Sequence, residues 1–101
     1  MKYRIRMTSL LQEVGVKLNP EIKRLTRQGL KELAENPFLG KPLEDDLSDF
    51  HSYAFLRYRI VYRIQAAEKA LDIVAVAHRS TVYKDLTEAL ARLGDNDDVS
   101  A

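Results

Sequence analysis

R-Y-R-I-V-Y-R-I, residues 57 to 64, sets arginine against tyrosine and isoleucine at alternating positions. Successive side chains of a strand point to opposite faces, so Arg57, Arg59, Val61 and Arg63 share one side and Tyr58, Ile60, Tyr62 and Ile64 the other. The second set predicts a face that buries, and the first a cationic face left to solvent. Such a face, ending near A-H-R-S-T-V-Y at 77–83, has the chemistry to meet phosphate.

Working outward, F-H-S-Y-A-F at 50–55 and A-L-D-I-V-A-V-A-H at 70–78 are also rich in aromatic and branched residues. Short connections between the three stretches predict hairpins and an antiparallel meander. The stretch at 70–78 is apolar almost throughout, which predicts a central strand covered on both faces. Upstream, K-Y-R-I-R-M alternates with Tyr3, Ile5 and Met7 on one side and predicts a first strand. Thr8 or Ser9 can then cap a short helix whose apolar line is Leu11, Val14 and Leu18, weakened by Gly15. Asn19-Pro20 opens a second helix, since asparagine caps well and proline suits the first helical position. Its apolar line is Ile22, Leu25, Gly29 and Leu33, and Asn36-Pro37 ends it. On the other side Lys23, Arg27 and Lys31 form a basic stripe, either a solvated face or a contact for a phosphate backbone. Residues 38–49 read as a loop whose acidic run, Glu44 to Asp46 with Asp49, is solvated. Leu86, Ala89, Leu90 and Leu93 have the spacing of a last helix.

Composition bounds what this can be. A chain of 101 residues with 46% hydrophobic content suits one compact domain, taken here as 1–93. Residues 94–101, G-D-N-D-D-V-S-A, form an acidic tail expected to lack regular structure. Because Asp95, Asp97 and Asp98 sit in that tail, the overall charge of +1 hides a body with 16 basic against 12 acidic side chains. No cysteine is present and only two histidines, which argues against disulfides and metal sites and fits a reducing cytoplasm. Neither a leader peptide nor a membrane-spanning run is expected, and no cofactor is implied.

The order strand, two helices, three strands and a final helix resembles the RelE/ParE superfamily of toxins from type II toxin-antitoxin modules. The matching pieces are L-x-E-N-P (Leu33 to Pro37), G-K-P-L (Gly40 to Leu43), Y-R-I-V-Y (Tyr58 to Tyr62) and H-R-x-x-V-Y (His78 to Tyr83). The resemblance covers the chain from Tyr3 to about Leu93. It implies an α+β fold with two N-terminal helices packed on a small, largely antiparallel sheet, and a cognate antitoxin as partner.

For the RNase members, the resemblance implies metal-independent cleavage of mRNA on the ribosome, in which a ribose 2′-hydroxyl attacks the neighbouring phosphate. That reaction needs cations for the phosphate, a group to take the 2′ proton and an acid for the leaving oxygen. Arg59 and Arg79 match basic positions of the family motif, and a guanidinium fork can grip two phosphate oxygens. Tyr83 matches the family's terminal tyrosine, able to stack on a base, share in proton transfer, or simply pack the last helix onto the sheet. Arg57 and Arg63, with the basic stripe, are candidates for substrate binding. His51 and His78, whose ordinary pKa lies near neutrality, are candidates for proton transfer or for structural roles.

One departure counts against the RNase reading. Many RNase members carry cations on the strand before Y-R-I-V-Y, where this chain has Ser52, Ala54 and Leu56. The ParE branch, which binds DNA gyrase without catalysis of its own, is also resembled through L-R-Y-R-I-V-Y-R-I at 56–64. A homologue that has lost activity but still binds its antitoxin is the third reading.

Overall fold

A computed structural model describes residues 2–14 and 19–100, and the backbone alone for 12–14 and 93–100. Along it run β1 (Arg4–Met7), α1 (Ser9–Val14), α2 (Pro20–Glu35), β2 (Lys41–Pro42), β3 (His51–Phe55), β4 (Tyr58–Gln65), β5 (Ala70–His78) and α3 (Val82–Ser100). Single 3-10 turns occupy Pro37–Leu39, Asp45–Leu47 and Ala66–Glu68. The strands make one sheet in the order β1-β5-β4-β3-β2, with β1 parallel to β5 and every other pair antiparallel.

Local chemistry accounts for the helix ends. The Asn19 side chain accepts from the Ile22 amide at 2.9 Å and Pro20 follows at the first helical position, so α2 starts where these residues direct. At the other end the Asn36 side chain accepts from the Phe38 amide, turning the chain into Pro37–Leu39. Near the middle of α2, a Cβ on Gly29 would lie 2.9 Å from the Tyr53 ring and 3.3 Å from Ile60. A hydrogen at this position lets the helix backbone settle onto the sheet.

The sheet has two cores. Ile60, Tyr62, Leu71, Ile73 and Val76 pack with Leu30 and Leu33 of α2, edged by Tyr3, Ile5, Leu11, Tyr53, Phe55 and Ile64. On the opposite face Val61, Val74, Ala75 and Ala77 pack with Val82, Leu86 and Ala89 of α3 and with Phe50. A bulge joins the two patterns. Val61 pairs with Ala75 but Tyr62 pairs with Ile73, leaving Val74 as an extra residue on β5. Val74 and Ala75 therefore both face α3, which strict alternation would forbid.

The alternation read from residues 58–64 holds for Ile60 and Tyr62, which are fully buried, and for Ile64, which edges the same core. It fails as a description of the cationic side. Val61 is fully buried because α3 covers the middle of that face, while Arg63 is half-buried with its guanidinium 4.9 Å from the Phe50 ring centre. Arg63 thus packs on an aromatic face, and its contribution is local structure. Arg57 lies in the two-residue turn between β3 and β4, beside Leu56, whose backbone is left-handed at φ 50°. Met7, expected inward, is 59% exposed. The loop expected at 38–49 contains β2, a two-residue edge strand. Helix α1 contributes Leu11 to the α2 core and Leu10 to the α3 core, so α2 alone spans the first face. Helical backbone continues through the acidic end to Ser100, whereas the expected contacts of Val14, Leu18 and Leu93 lie outside the described side chains.

One polar network ties β1 to β5. Arg6 donates from Nε and Nη2 to the Asp72 carboxylate at 2.6 and 3.1 Å, and from Nη1 to Glu68 at 2.7 Å. Gln65 donates to the same Asp72 carboxylate at 3.1 Å. The Arg6 bond, outweighing the opposing effect of burial, holds the Asp72 carboxyl below its ordinary pKa.

Two outcomes follow. Ile60→Ala removes fully buried volume between α2 and the sheet and should lower unfolding free energy by roughly 2–5 kcal/mol in urea titrations. For Asp72, a depressed folded-state pKa means that the stabilisation is complete above the ordinary carboxylate value and is lost as pH falls below it through the lower folded-state value. Asp72→Asn should melt below the parent at neutral pH, with the gap closing in acid as the parent loses its ion pair.

Candidate functional site

The α3 helix leaves part of its sheet face uncovered at the β2–β3–β4 side, and an open groove of about 600 Å³ lies there. Strand register determines what faces it. Lys41 on β2 pairs with Ser52 on β3, which pairs with Val61 on β4, while Ala54 pairs with Arg59. Side chains opposite one another in such pairs share a face. Lys41, Ser52, Ala54 and Arg59 accordingly line the groove with Leu43 and Glu44. Tyr83, in the first turn of α3, closes one wall, with its hydroxyl 2.8 Å from the Ser52 hydroxyl.

Arg59 is half-buried and spends one donor, Nη1, on the Tyr58 carbonyl at 2.9 Å. Among the described residues no carboxylate comes within ion-pair distance of Arg59 or Lys41. Two uncompensated cations therefore face one cleft that also holds a tyrosine hydroxyl. This arrangement can hold an anion and present a hydroxyl to it.

Arg79 does not line the groove. It is exposed in the turn after β5, its amide donating to the Arg57 carbonyl at 2.8 Å, so Arg57 and Arg79 sit together where the β3–β4 turn meets the end of β5. Arg59, paired with Ala77, is at that same end of the sheet. Arg63 shares the groove's side of the sheet, but its guanidinium lies over the Phe50 ring.

Both histidines are on the wrong face for the groove. His51 stacks on Tyr62 with ring centres 5.6 Å apart and meets the edge of Phe38 at 6.3 Å. Burial lowers its pKa, and its Nδ1 is buried without a hydrogen-bond partner. His78 meets Tyr58 edge-on at 5.6 Å, and its Nδ1 accepts from the Ser80 amide at 3.1 Å with the Ser80 hydroxyl 2.8 Å away. Neither ring can exchange a proton with a ligand between Arg59 and Tyr83. Lys23, Arg27 and Lys31 are exposed on α2, across the sheet from the groove, and are not brought to it.

Among the groove residues not singled out as site residues from sequence are Lys41, Glu44, and Ser52 in its role as a partner of Tyr83. The signal for Lys41 was present in G-K-P-L at 40–43, but its alignment with Ser52 depends on a two-residue strand too short for alternation to reveal.

Known proteins resemble this chain in sequence and in fold. The model of the ParE toxin of the type II toxin-antitoxin system parDE matches residues 9–83. Toxin RelG of Mycobacterium tuberculosis is 30% identical over 86 residues, covering 83% of this chain and 99% of RelG. Toxin RelE of the same organism is 42% identical over 53 residues, 52% of this chain, and the match spans about half of that toxin, 55%. Among solved structures, the M. tuberculosis toxin-antitoxin complex RelBE2 aligns with a TM-score of 0.71 at 29% identity, over 77% of this chain and 99% of the matched one. A free mutant of E. coli toxin RelE shares the fold, with a TM-score of 0.67 at 18% identity over 87% of this chain and 97% of its own. With a family model matched from α1 through β5 to Tyr83, and a relative aligned over nearly its whole length, the chain belongs to the RelE/ParE superfamily of toxins of type II toxin-antitoxin systems.

Proposed function

We propose that the domain at 1–93 arrests translation in the cytoplasm by cleaving mRNA on the ribosome without a metal, and that a cognate antitoxin restrains it. The observation that carries this reading is that Arg59 and Tyr83, on different elements, face one open groove. In the reaction, a ribose 2′-oxygen attacks phosphorus, its proton leaves to a base, and the bond to the 5′-oxygen breaks as that oxygen takes up a proton. Arg59 binds the phosphate and offsets the charge that grows on its oxygens, where a fixed cation helps most. Arg79, with Arg57 beside it, extends the cationic end of the sheet toward the flanking phosphates. The Tyr83 hydroxyl, oriented by Ser52, is the groove's candidate for proton transfer, with base stacking as its other use. The M. tuberculosis complex of toxin with antitoxin, RelBE2, supports the antitoxin as partner.

A second reading has its own support. The matching family model is that of a ParE toxin, and the β3 side chains facing the groove, Ser52 and Ala54, carry no charge. A gyrase-binding poison would use the same surface without catalysis.

Arg59→Ala should reduce mRNA cleavage on programmed ribosomes by roughly 100-fold or more, with melting temperature nearly unchanged, and Arg59→Lys should recover part of the loss. New mRNA 5′ ends after induction support the RNase. Inhibited supercoiling and a DNA-damage response with intact mRNA support the gyrase reading instead.

The antitoxin segment should fold on the toxin and neutralise cations at the sheet end formed by Arg57, Arg59 and Arg79, while burying apolar area. Raising salt from low to physiological should weaken binding only moderately in calorimetry. Binding abolished at modest ionic strength would show a purely electrostatic contact.

A further inference from the structure

The β3 positions that face the groove are Ser52 and Ala54, so the middle of the cleft has no cation of its own. One strand further out, Lys41 occupies the same cross-strand row as Ser52. Lys41 lines the groove from β2 and Arg59 from β4, on either side of β3, and neither cation has a carboxylate partner among the described residues. Glu44 is the acid that lines the groove, so the lining cations outnumber the lining carboxylates by two to one. We infer that Lys41 and Arg59 clamp one RNA phosphodiester between them across Ser52 and Ala54, and that Lys41 is the second charged group acting on the phosphate that is cleaved. The binding part stands on the groove alone, and the catalytic part rests on the RNase reading above.

The position of Lys41 is constrained in a way that an edge-strand lysine need not be. Pro42 follows it, fixing the backbone, and Gly40 precedes it, where a Cβ would lie 2.6 Å from the Tyr62 hydroxyl and 2.8 Å from the Ser52 carbonyl. The chain on either side thus fixes where the lysine leaves the sheet. A lysine that only discourages edge-to-edge pairing could leave it at any angle.

The test uses the full chain and a trinucleotide with 2′-O-methyl groups, which cannot be cleaved. Binding is followed by amide chemical shifts and by the slope of log affinity against log salt. Wild type should shift amides of β2, β3 and the first turn of α3. Lys41→Met keeps the apolar stem and should lower the salt slope by roughly 0.7, the loss of one phosphate contact on a single strand, while Lys41→Arg should restore it. Lys2→Met, at an exposed lysine paired with Glu35 away from the groove, should leave the slope unchanged. Glu44→Gln should tighten binding. On programmed ribosomes Lys41→Met should also slow single-turnover cleavage by roughly 100-fold with an unchanged melting temperature.

An unchanged slope in Lys41→Met, or no binding of the trinucleotide by wild type, overturns the clamp. If wild type binds the trinucleotide with the expected slopes but cuts no mRNA, the RNase reading and the catalytic role of Lys41 fall and the phosphodiester site stands. If wild type cuts and Lys41→Met cuts equally well, the catalytic role falls alone.

Discussion

The buried hydroxyl of Tyr62 holds together the parts of this structure that matter for the site. Tyr62 is fully buried on β4, and its hydroxyl donates to the Pro37 carbonyl at 2.6 Å while accepting from the Gly40 amide at 3.1 Å. Burial raises its pKa, with the Gly40 bond pulling the other way, so it stays a neutral donor and acceptor. Without it, two buried backbone groups at the exit of α2 would lack partners, at a cost of about 1–3 kcal/mol each. With it, the turn at Pro37–Leu39 is held against the sheet, Gly40 must remain a glycine, and the next two residues are delivered to β3 as β2. His51, stacked on the Tyr62 ring, belongs to this anchor, which gives it a structural role on the face away from the groove.

The same sheet supports two different surfaces because its helices cover it unequally. On one face α2 seals the sheet through Gly29, where Tyr53 and Ile60 meet the helix, and Tyr53 donates to Glu32 at the rim, which with burial pushes the tyrosine pKa to about 12. On the other face α3 covers Val61 and the bulged segment of β5 but stops short of β2 and the outer half of β3. Arg59 and Arg63, four residues apart with Val61 between them on that face, therefore meet different surroundings. One looks into an open cleft, and the other lies over Phe50.

Whatever depended on chain-local chemistry was legible in the sequence. Asn19-Pro20 and Asn36-Pro37 bound α2 because capping and proline geometry act within a few residues. Alternation identified β4 and the burial of Ile60 and Tyr62. The antiparallel meander was legible too, but the register and the covering of each face were not. Alternation separates Arg59 from Tyr58 but cannot say that a helix will cover Val61, that Val74 will bulge, or that Arg57 will fall in a turn. The histidines illustrate the limit from the other side: His51 and Ser52 are adjacent and so face apart, but only the pairing of Ser52 with Lys41 and its bond to Tyr83 shows which of those faces is the groove.

The placement of the groove's cations makes any chemistry there depend on the anchor. Arg59 is the second residue of an eight-residue strand, paired with Ala54 on one side and Ala77 on the other, and is held by the sheet itself. Lys41 comes from a strand of two residues, and such an edge has little pairing of its own to define where it lies. What defines it is the chain before it, locked through Gly40 to Tyr62, and the chain after it, where the Leu43 amide donates to the Phe50 carbonyl at 3.0 Å. Tyr62 lies on the opposite face from Arg59, and through its bond to the Gly40 amide it holds the chain that leads into Lys41. A distance error of about 1 Å between positioned groups can cost roughly 100-fold in rate. The residue with the greatest leverage on the groove is thus a core tyrosine, and the alternation of β4 joins the two sides of the sheet: Tyr62 inward against the turn that leads to Lys41, and Arg59 outward into the groove.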